Sequence, residues 1–339
     1  MLSIDGSFGE GGGQIIRTSL ALSLVTGRAF RVYNVRARRA PPGLKPQHLT
    51  AVMAAAEVGR ARVDGARVGA QEFTFVPGEV APGQYRFAVG TAGSTALVMQ
   101  AVLPPLMLAA GPSLLTFEGG THNPHAPPFE FIEKTFLPLV NRTGPAVTVE
   151  LERYGFYPPG GGRFSIYVEP AAEPRRLDIV ERGVVLAQRS RALCVNLRPE
   201  VGERELKVVS EQMGLPLDQL QLEVSDNAIS PGNVFTVEVE SEHLTEVFTG
   251  IGERGIRAEE IASRAVEEAK RYLAVGAPVG EHLADQLLIP LALARGGTYT
   301  TGPLSPHTTT NIEVVKTFLP VEINTTQLTE EVWKIEVRI

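Results

Sequence analysis

Three stretches of this chain repeat one order of residue types, and that repetition constrains the fold more than any single motif does. Each opens on a glycine-rich or polar turn, enters an apolar run with helical periodicity, crosses a polar stretch, and starts a second such run behind a proline and a histidine. In the first, Gly9 to Gly13 precedes Ile15 to Val25, and Pro46-Gln47-His48 opens a run to Val58. In the second, Gly90 to Thr95 precedes Ala96 to Ala110, and Asn123-Pro124-His125 precedes Phe129 to Val140. The third runs from Gly280 through Leu283 to Ala294, then Ser305-Pro306-His307 before Ile312 to Leu319. Two of the units also end alike, as Lys134-Thr135-Phe136-Leu137-Pro138 and Lys316-Thr317-Phe318-Leu319-Pro320.

Short alternating segments lie between these runs: Phe30 to Val35, Leu114 to Glu118, Phe164 to Val168 and Val332 to Ile339. Their period of two marks strands with one buried face. Helices on one side of a small sheet, three times over, predict an α+β body of three repeated helix-on-sheet units. The interval from about Glu181 to Ala274 breaks the repeat and is richer in Glu. It is expected to be a smaller inserted domain, residues 181–274, with strands near Val184 to Asn196 and Asn233 to Glu240 and helices near Glu203 to Met213 and Ala258 to Leu273. The body then comprises residues 1–180 and 275–339. A chain of 339 residues accommodates this division at the usual ~100–200 residues per domain.

Composition excludes several classes. Leu103 to Ala110 is broken by Pro104 and Pro105, and no run approaches the ~18 apolar residues of a membrane span. The N-terminus lacks a basic-then-apolar signal pattern, so a cytoplasmic location is expected. Cys194 is the single cysteine, which rules out an intrachain disulfide and a zinc site built on several cysteines. Any metal must take oxygen or imidazole ligands. The net charge of −6 hides an uneven distribution. No Asp or Glu occurs from Gly11 to Ala56, while Arg17, Arg28, Arg31, Arg36, Arg38, Arg39 and Lys45 all fall there. A local basic face on an acidic protein suits one anionic ligand, and a solvated arginine-rich edge fits the same residues.

Three segments carry candidate chemistry. In Gly9-Glu10-Gly11-Gly12-Gly13-Gln14 the missing side chains let backbone N–H groups approach phosphate oxygens, although the spacing is neither that of a P-loop nor that of a dinucleotide fingerprint. Glu10 can hold a divalent cation beside such phosphates, and a simple tight turn is the alternative. In Gly280-Glu281-His282-Leu283-Ala284-Asp285-Gln286, Asp285 and Gln286 offer hydrogen-bonding groups to a purine or ribose and His282 can stack on a base. Capping of a helix by its acidic first turn accounts for the same pattern. In Ser305-Pro306-His307-Thr308-Thr309-Thr310-Asn311, Thr308 to Thr310 are placed to cap the following helix, so His307 is expected at a loop-to-helix junction with one ring nitrogen toward a bound phosphate. A capped helix with a half-buried histidine is the competing account.

Together, GEGGGQIIRTSLALSLVTG, VRARRAPPGLKPQHLTAV, GTAGSTALVMQAVLP, GGTHNPHAPPFEFI, RYGFYPPGGG, VGEHLADQLLIPLAL and SPHTTTNIEVVKTFLP resemble the RNA 3′-terminal phosphate cyclase family essentially end to end, insert included. The resemblance implies a body of three units similar to the C-terminal domain of a translation initiation factor, interrupted by a domain of thioredoxin-like topology. It implies ATP as co-substrate, a divalent cation (Mg2+ or Mn2+), and RNA with a 3′-terminal phosphate as the partner. The implied reaction converts that phosphate to a 2′,3′-cyclic phosphodiester through covalent histidine-AMP and RNA-adenylate intermediates.

Carried over residue by residue, the resemblance puts the nucleophile on His307. It puts the nucleotide contacts on Gln100, Pro127, His282, Leu283, Ala284, Asp285 and Gln286. Glu10 looks like the metal-binding carboxylate, and Arg17, Arg36, Arg39 and Gln47 look like contacts to the RNA phosphate or to the pyrophosphate of ATP. Some relatives carry a phenol where this chain has His282. Two other functions remain open on the residues: a noncatalytic cyclase-like ribosome-assembly factor, and a sugar-phosphate transferase of similar repeated architecture. No feature of the sequence specifies an oligomeric state.

Overall fold

A computed structural model describes residues Met1 to Ile339 as a mixed α+β structure of four small sheets and ten α-helices. The first sheet takes β1 (Leu2–Asp5), β2 (Phe30–Tyr33), β3 (Arg62–Asp64) and β4 (Phe73–Val76), with α1 (Gly13–Thr26) and α2 (Pro46–Val58) between its first three strands. The second takes β5 (Gln84–Ala88), β6 (Ser113–Gly119), β7 (Ala146–Arg153) and β8 (Gly162–Glu169). Its helices are α3 (Thr95–Leu106) and a helical stretch made of α4 (Phe129–Phe131), a π turn (Ile132–Phe136) and α5 (Leu137–Arg142).

After β9 (Leu177–Ile179) the chain builds a separate sheet from β10 (Val185–Val195), β11 (Leu220–Ser225), β12 (Gly232–Ser241) and β13 (Thr245–Ile251). Helices α6 (Glu200–Met213) and α7 (Ala258–Val275) belong to it. The chain then returns with α8 (Glu281–Ala284), α9 (Leu288–Leu293), β14 (Gly297–Thr301), α10 (Pro306–Phe318), β15 (Glu322–Gln327) and β16 (Trp333–Arg338).

The sheets run β1-β2-β4-β3, β5-β6-β8-β7 and β9-β14-β16-β15, and in each the first two strands are parallel and the other pairs antiparallel. The sheet between β9 and α8 has a different order, β11-β10-β12-β13. Alternation explains which strand faces are buried: in β8, Phe164, Ile166 and Val168 point inward while Tyr167 and Glu169 stay exposed. Helices α1, α2, α3 and α10 pack on one another, and their apolar residues join the inner faces of the three like sheets in one core of 59 buried residues. The fourth sheet has its own smaller core, including Phe235, Val237, Phe248, Ala262 and Val266. That core sits under α6 and α7.

Proline explains where helices depart from the apolar pattern. The run Leu283 to Ala294 is not one helix. Pro290 cannot donate to the Gln286 carbonyl and its ring crowds that group, so α8 and α9 are separate. Pro138 likewise follows the π turn, whose wider loop absorbs the missing bond near Lys134. The run Ala96 to Ala110 ends as helix at Leu106, just beyond Pro104 and Pro105. No helix is long and apolar enough to cross a membrane.

Candidate active site

Helix α1 enters from the glycine turn without a side-chain cap. Gly9 has φ +53°, and a Cβ there would strike Thr310 of α10, so glycine lets this turn lie directly on the histidine-bearing helix. The Glu10 amide donates to Thr310 Oγ1 at 3.0 Å. A Cβ on Gly12 would overlap the Glu10 carboxylate, which therefore folds back over the positive end of α1. Arg39 pairs with Glu10 Oε1, whereas Glu10 Oε2 is buried with no hydrogen-bond partner. An orphaned carboxylate oxygen beside a cleft fits one protein ligand to a hard cation that takes its other ligands from phosphate and water.

His307 is the second residue of α10, at the expected loop-to-helix junction. The cap is Ser305, whose Oγ accepts the Thr308 amide at 3.2 Å; Thr308 to Thr310 lie inside the helix instead of capping it. Pro306 at the first helical position is already set for the helical φ. The partly exposed His307 ring has its Nδ1 3.2 Å from Gln14 Oε1. An amide oxygen can only accept, so this pair assigns the proton to Nδ1 and leaves the lone pair on Nε2. Partial burial and the nearby Arg17, His282 and Arg39 outweigh Glu10 and lower the His307 pKa, favouring the neutral ring.

Gln14 is itself held. Its Nε2 donates to Asp285 Oδ2 at 2.5 Å, and Asn311 Nδ2 donates to the Asp285 carbonyl at 2.8 Å while its Oδ1 accepts from Thr18 at 2.7 Å. Asp285 keeps some accessible surface, but its carboxyl is enclosed by protein atoms. Loss of hydration raises it to about 7 against the opposing pull of Arg17. Arg17, equally enclosed, is brought down to about 10 by burial. A second chain of amides runs alongside: Arg17 Nε to Gln100 Oε1 at 2.8 Å, Gln100 Nε2 to Gln286 Oε1 at 3.1 Å, and Gln286 Nε2 to the His282 carbonyl at 2.8 Å.

These groups line a cleft of about 430 Å³, within the range of small-ligand sites. Arg17, Gln100, Pro127, His282, Asp285, Gln286 and His307 all face it, as do Val247, Phe248 and Arg264 from β13 and α7. Leu283 and Ala284 are buried behind it. Glu10 and Arg39 stand beside His307 but outside this lining, and Gln47 accepts the Ser94 amide at 3.2 Å, joining α2 to the turn before α3. Arg36 is buried, with Nη1 donating to the carbonyls of Pro41 and Gly43 at 3.0 and 2.9 Å. Its guanidinium is largely committed to holding the basic loop, in which Asn34 and Arg36 both take left-handed backbone.

A family model described as RNA 3′-terminal phosphate cyclase matches residues 8–325. A protein of Koribacter versatilis with the name RNA 3′-terminal phosphate cyclase is 49% identical over 321 residues, covering 95% of this chain and 90% of its own. Proteins of the same name from Pseudomonas fluorescens and Ectopseudomonas mendocina are each 46% identical, over 99% of this chain and 97% and 98% of theirs.

Proposed function

Because this chain belongs to the RNA 3′-terminal phosphate cyclase family, we propose that it is the ATP-dependent enzyme that closes an RNA 3′-terminal phosphate into a 2′,3′-cyclic phosphodiester through histidine-AMP and RNA-adenylate intermediates. The observation that carries this is the His307 ring: at the cleft, inclined to neutrality, with Nδ1 on Gln14 and Nε2 left free. Nε2 attacks the α-phosphorus of ATP, a P–N bond forms, and pyrophosphate leaves. The ring then carries positive charge on its Nδ1–H side, where Gln14 Oε1 accepts. A 3′-phosphate oxygen of RNA takes the adenylyl group, the P–N bond breaks, and the ring returns to neutrality. The adjacent 2′-oxygen, already within reach, attacks the 3′-phosphorus; AMP departs and the hydroxyl loses its proton. Adenylylation supplies the leaving group that a bare terminal phosphate lacks.

The nucleotide is assigned to the cleft bounded by Gln100, Pro127, His282, Asp285 and Gln286, with Leu283 and Ala284 behind them. Arg17, Arg39 and Gln47 are assigned to the anionic ends of ATP and RNA, and Arg36, bonded to the Pro41 and Gly43 carbonyls, is assigned to holding the loop that carries Arg39 instead of contacting phosphate itself. Glu10 would hold Mg2+ or Mn2+, which when bound neutralises phosphate charge in such a site. Residues 1–180 and 275–339 are taken as three repeated units, supported by the common strand order of their sheets. Residues 181–274 are taken as an inserted domain of thioredoxin-like topology, supported by their β11-β10-β12-β13 order with two helices on one face.

Incubation with ATP labelled at the α-phosphate and a divalent cation tests this: the protein should acquire label stable to alkali and labile to acid. A wild-type protein that stays unlabelled contradicts the proposal, and a sugar-phosphate transferase or an assembly factor would behave so. Glu10→Ala should shift the metal titration of labelling to higher Mn2+ and weaken Mn2+ binding measured directly by paramagnetic resonance. Unchanged titrations would remove Glu10 from the metal role. Gln14→Ala should slow labelling at saturating ATP by about 10- to 100-fold, since a misdirected nucleophile loses that much, with a smaller effect on the KM for ATP. Equal rates for Gln14→Ala and wild type would show that the amide does not aim the ring.

A further inference from the structure

The segment that carries His282, Asp285 and Gln286 is tied both to its own sheet, where Tyr299 Oη of β14 donates to the Ala284 carbonyl, and to the fourth sheet and its helix. Where the chain returns from the fourth sheet, Tyr272 Oη of α7 donates to the Pro278 carbonyl at 2.9 Å, and the Val279 amide donates to the Thr300 carbonyl at 3.2 Å. The next amide, Gly280, donates to Glu246 Oε1 of β13 at 2.6 Å. Glu246 is 2% exposed, and Gly280 leaves it no room to spare: a Cβ there would sit 2.9 Å from Oε1. Gly280 is the residue from which α8 starts, with extended backbone and no side chain of its own to cap the turn. A carboxyl from a strand 34 positions earlier therefore accepts the N-cap amide, as the third-position glutamate of a capping box does elsewhere.

The strand that brings Glu246 is not free to drift. Leu244, at its start, is buried in the main core, and β13 packs on α4 and the π turn, just beyond Pro127. The next residues along β13, Val247 and Phe248, line the cleft. We propose that Glu246 is a positioning residue of the nucleotide site: by accepting the Gly280 amide it fixes the start of α8, and so sets His282, Asp285 and Gln286 against the adenosine of ATP. The fourth sheet thereby becomes a structural part of the nucleotide cleft rather than an appendage. This rests on the assignment of ATP to that cleft.

The role needs a hydrogen-bond acceptor of this length, so Glu246→Gln keeps it and Glu246→Leu removes it at similar volume. With ATP and Mg2+ as the probe, Glu246→Leu is expected to raise the Kd and the KM for ATP about tenfold, the worth of a lost hydrogen bond that leaves a buried donor unpaired. The saturated labelling rate should fall less than about threefold, and Glu246→Gln should restore wild-type affinity. A merely structural residue would lower thermal stability without this split between KM and rate. Equal ATP affinity for Glu246→Leu and wild type, or equal weakening by Leu and Gln, overturns the role. Should Glu246→Leu fail to fold, amide exchange in the wild type serves: the Gly280 amide should be protected, and rapid exchange there overturns the proposal. A wild-type protein that does not bind ATP removes the assignment of the cleft itself, a different outcome from one that binds ATP equally in all three forms.

Discussion

His307→Asn should leave a folded protein that takes up no label from α-labelled ATP, a loss of more than about 1000-fold in the rate of self-adenylylation. Asparagine can occupy the second position of α10, and the Ser305 cap and the Pro306 start of the helix are untouched, so stability should change little. What disappears is the imidazole whose Nδ1 is held by Gln14 and whose Nε2 is left free at the cleft. The neutral ring is favoured by burial and by Arg17, His282 and Arg39, and the Gln14 contact leaves Nε2 as the free nitrogen. Binding of ATP should survive, because Gln100, Asp285 and Gln286 are held by their own amide chains. Persistent, acid-labile label on His307→Asn would mean that another residue is the nucleophile, and would take the proposed chemistry with it.

The helices of the body are legible because their signals are local. The run Pro46 to Val58 and the helix Pro46–Val58 coincide, since Pro at the first position and Gly59 after the last mark both ends. The α+β class follows from the same periodicities. The interrupted helices are less legible, because an apolar run looks continuous whether or not Pro290 and Pro138 have broken its hydrogen bonds. At the site, the residues that face the cleft include His307, His282, Gln100 and Asp285, each belonging to a compact motif.

Gln14, Asn311 and Thr310 are not legible as functional groups although they lie within the same motifs. Their partners are 293, 293 and 300 positions away in sequence, so nothing near them says which polar side chain is aimed and which is merely capped. One signal was present: Gln14, Arg17 and Thr18 stand at i, i+3 and i+4, a polar strip on a helix whose other residues are mostly apolar or small. Arg36 shows the converse. Counted by charge it belongs with Arg38 and Arg39, yet its left-handed backbone turns the guanidinium inward onto two carbonyls. Charge alone does not say which way an arginine points.

The second large effect is expected on the fourth sheet, at Arg191 of β10. His122 is fully buried and its Nε2 lies 2.8 Å from Glu130 Oε2, while Thr121 Oγ1 meets Nδ1 at 2.8 Å. Arg191, arriving on β10, places Nη1 3.1 Å from Glu130 Oε1, Nε 2.9 Å from Glu223 Oε2 and Nη2 3.3 Å from the Tyr154 hydroxyl. Burial alone would push the Glu130 carboxyl up, but His122 and Arg191 outweigh it and bring it down to about 2. Arg191→Met keeps the length and apolar stem and removes the charge, leaving a buried carboxylate with one partner. Removing one member of a buried ion pair typically costs about 3–5 kcal/mol; His122 remains, so a loss of about 2–4 kcal/mol is expected in denaturant unfolding.

The pH dependence gives this prediction its sign. A carboxyl held at about 2 when folded, against an ordinary value of 4.5, contributes stability that is complete above 4.5 and is lost as pH falls through 2. With Arg191 gone the folded value rises toward 4.5. The acid-unfolding midpoint of Arg191→Met should therefore lie at higher pH than that of the wild type. Glu130 stands three residues after Pro127 at the cleft, so ATP affinity should weaken along with stability. A variant with unchanged stability at pH 7 and an unchanged acid midpoint would show that His122 alone satisfies Glu130, and that the fourth sheet is held to the body by its apolar contacts and not by this charge.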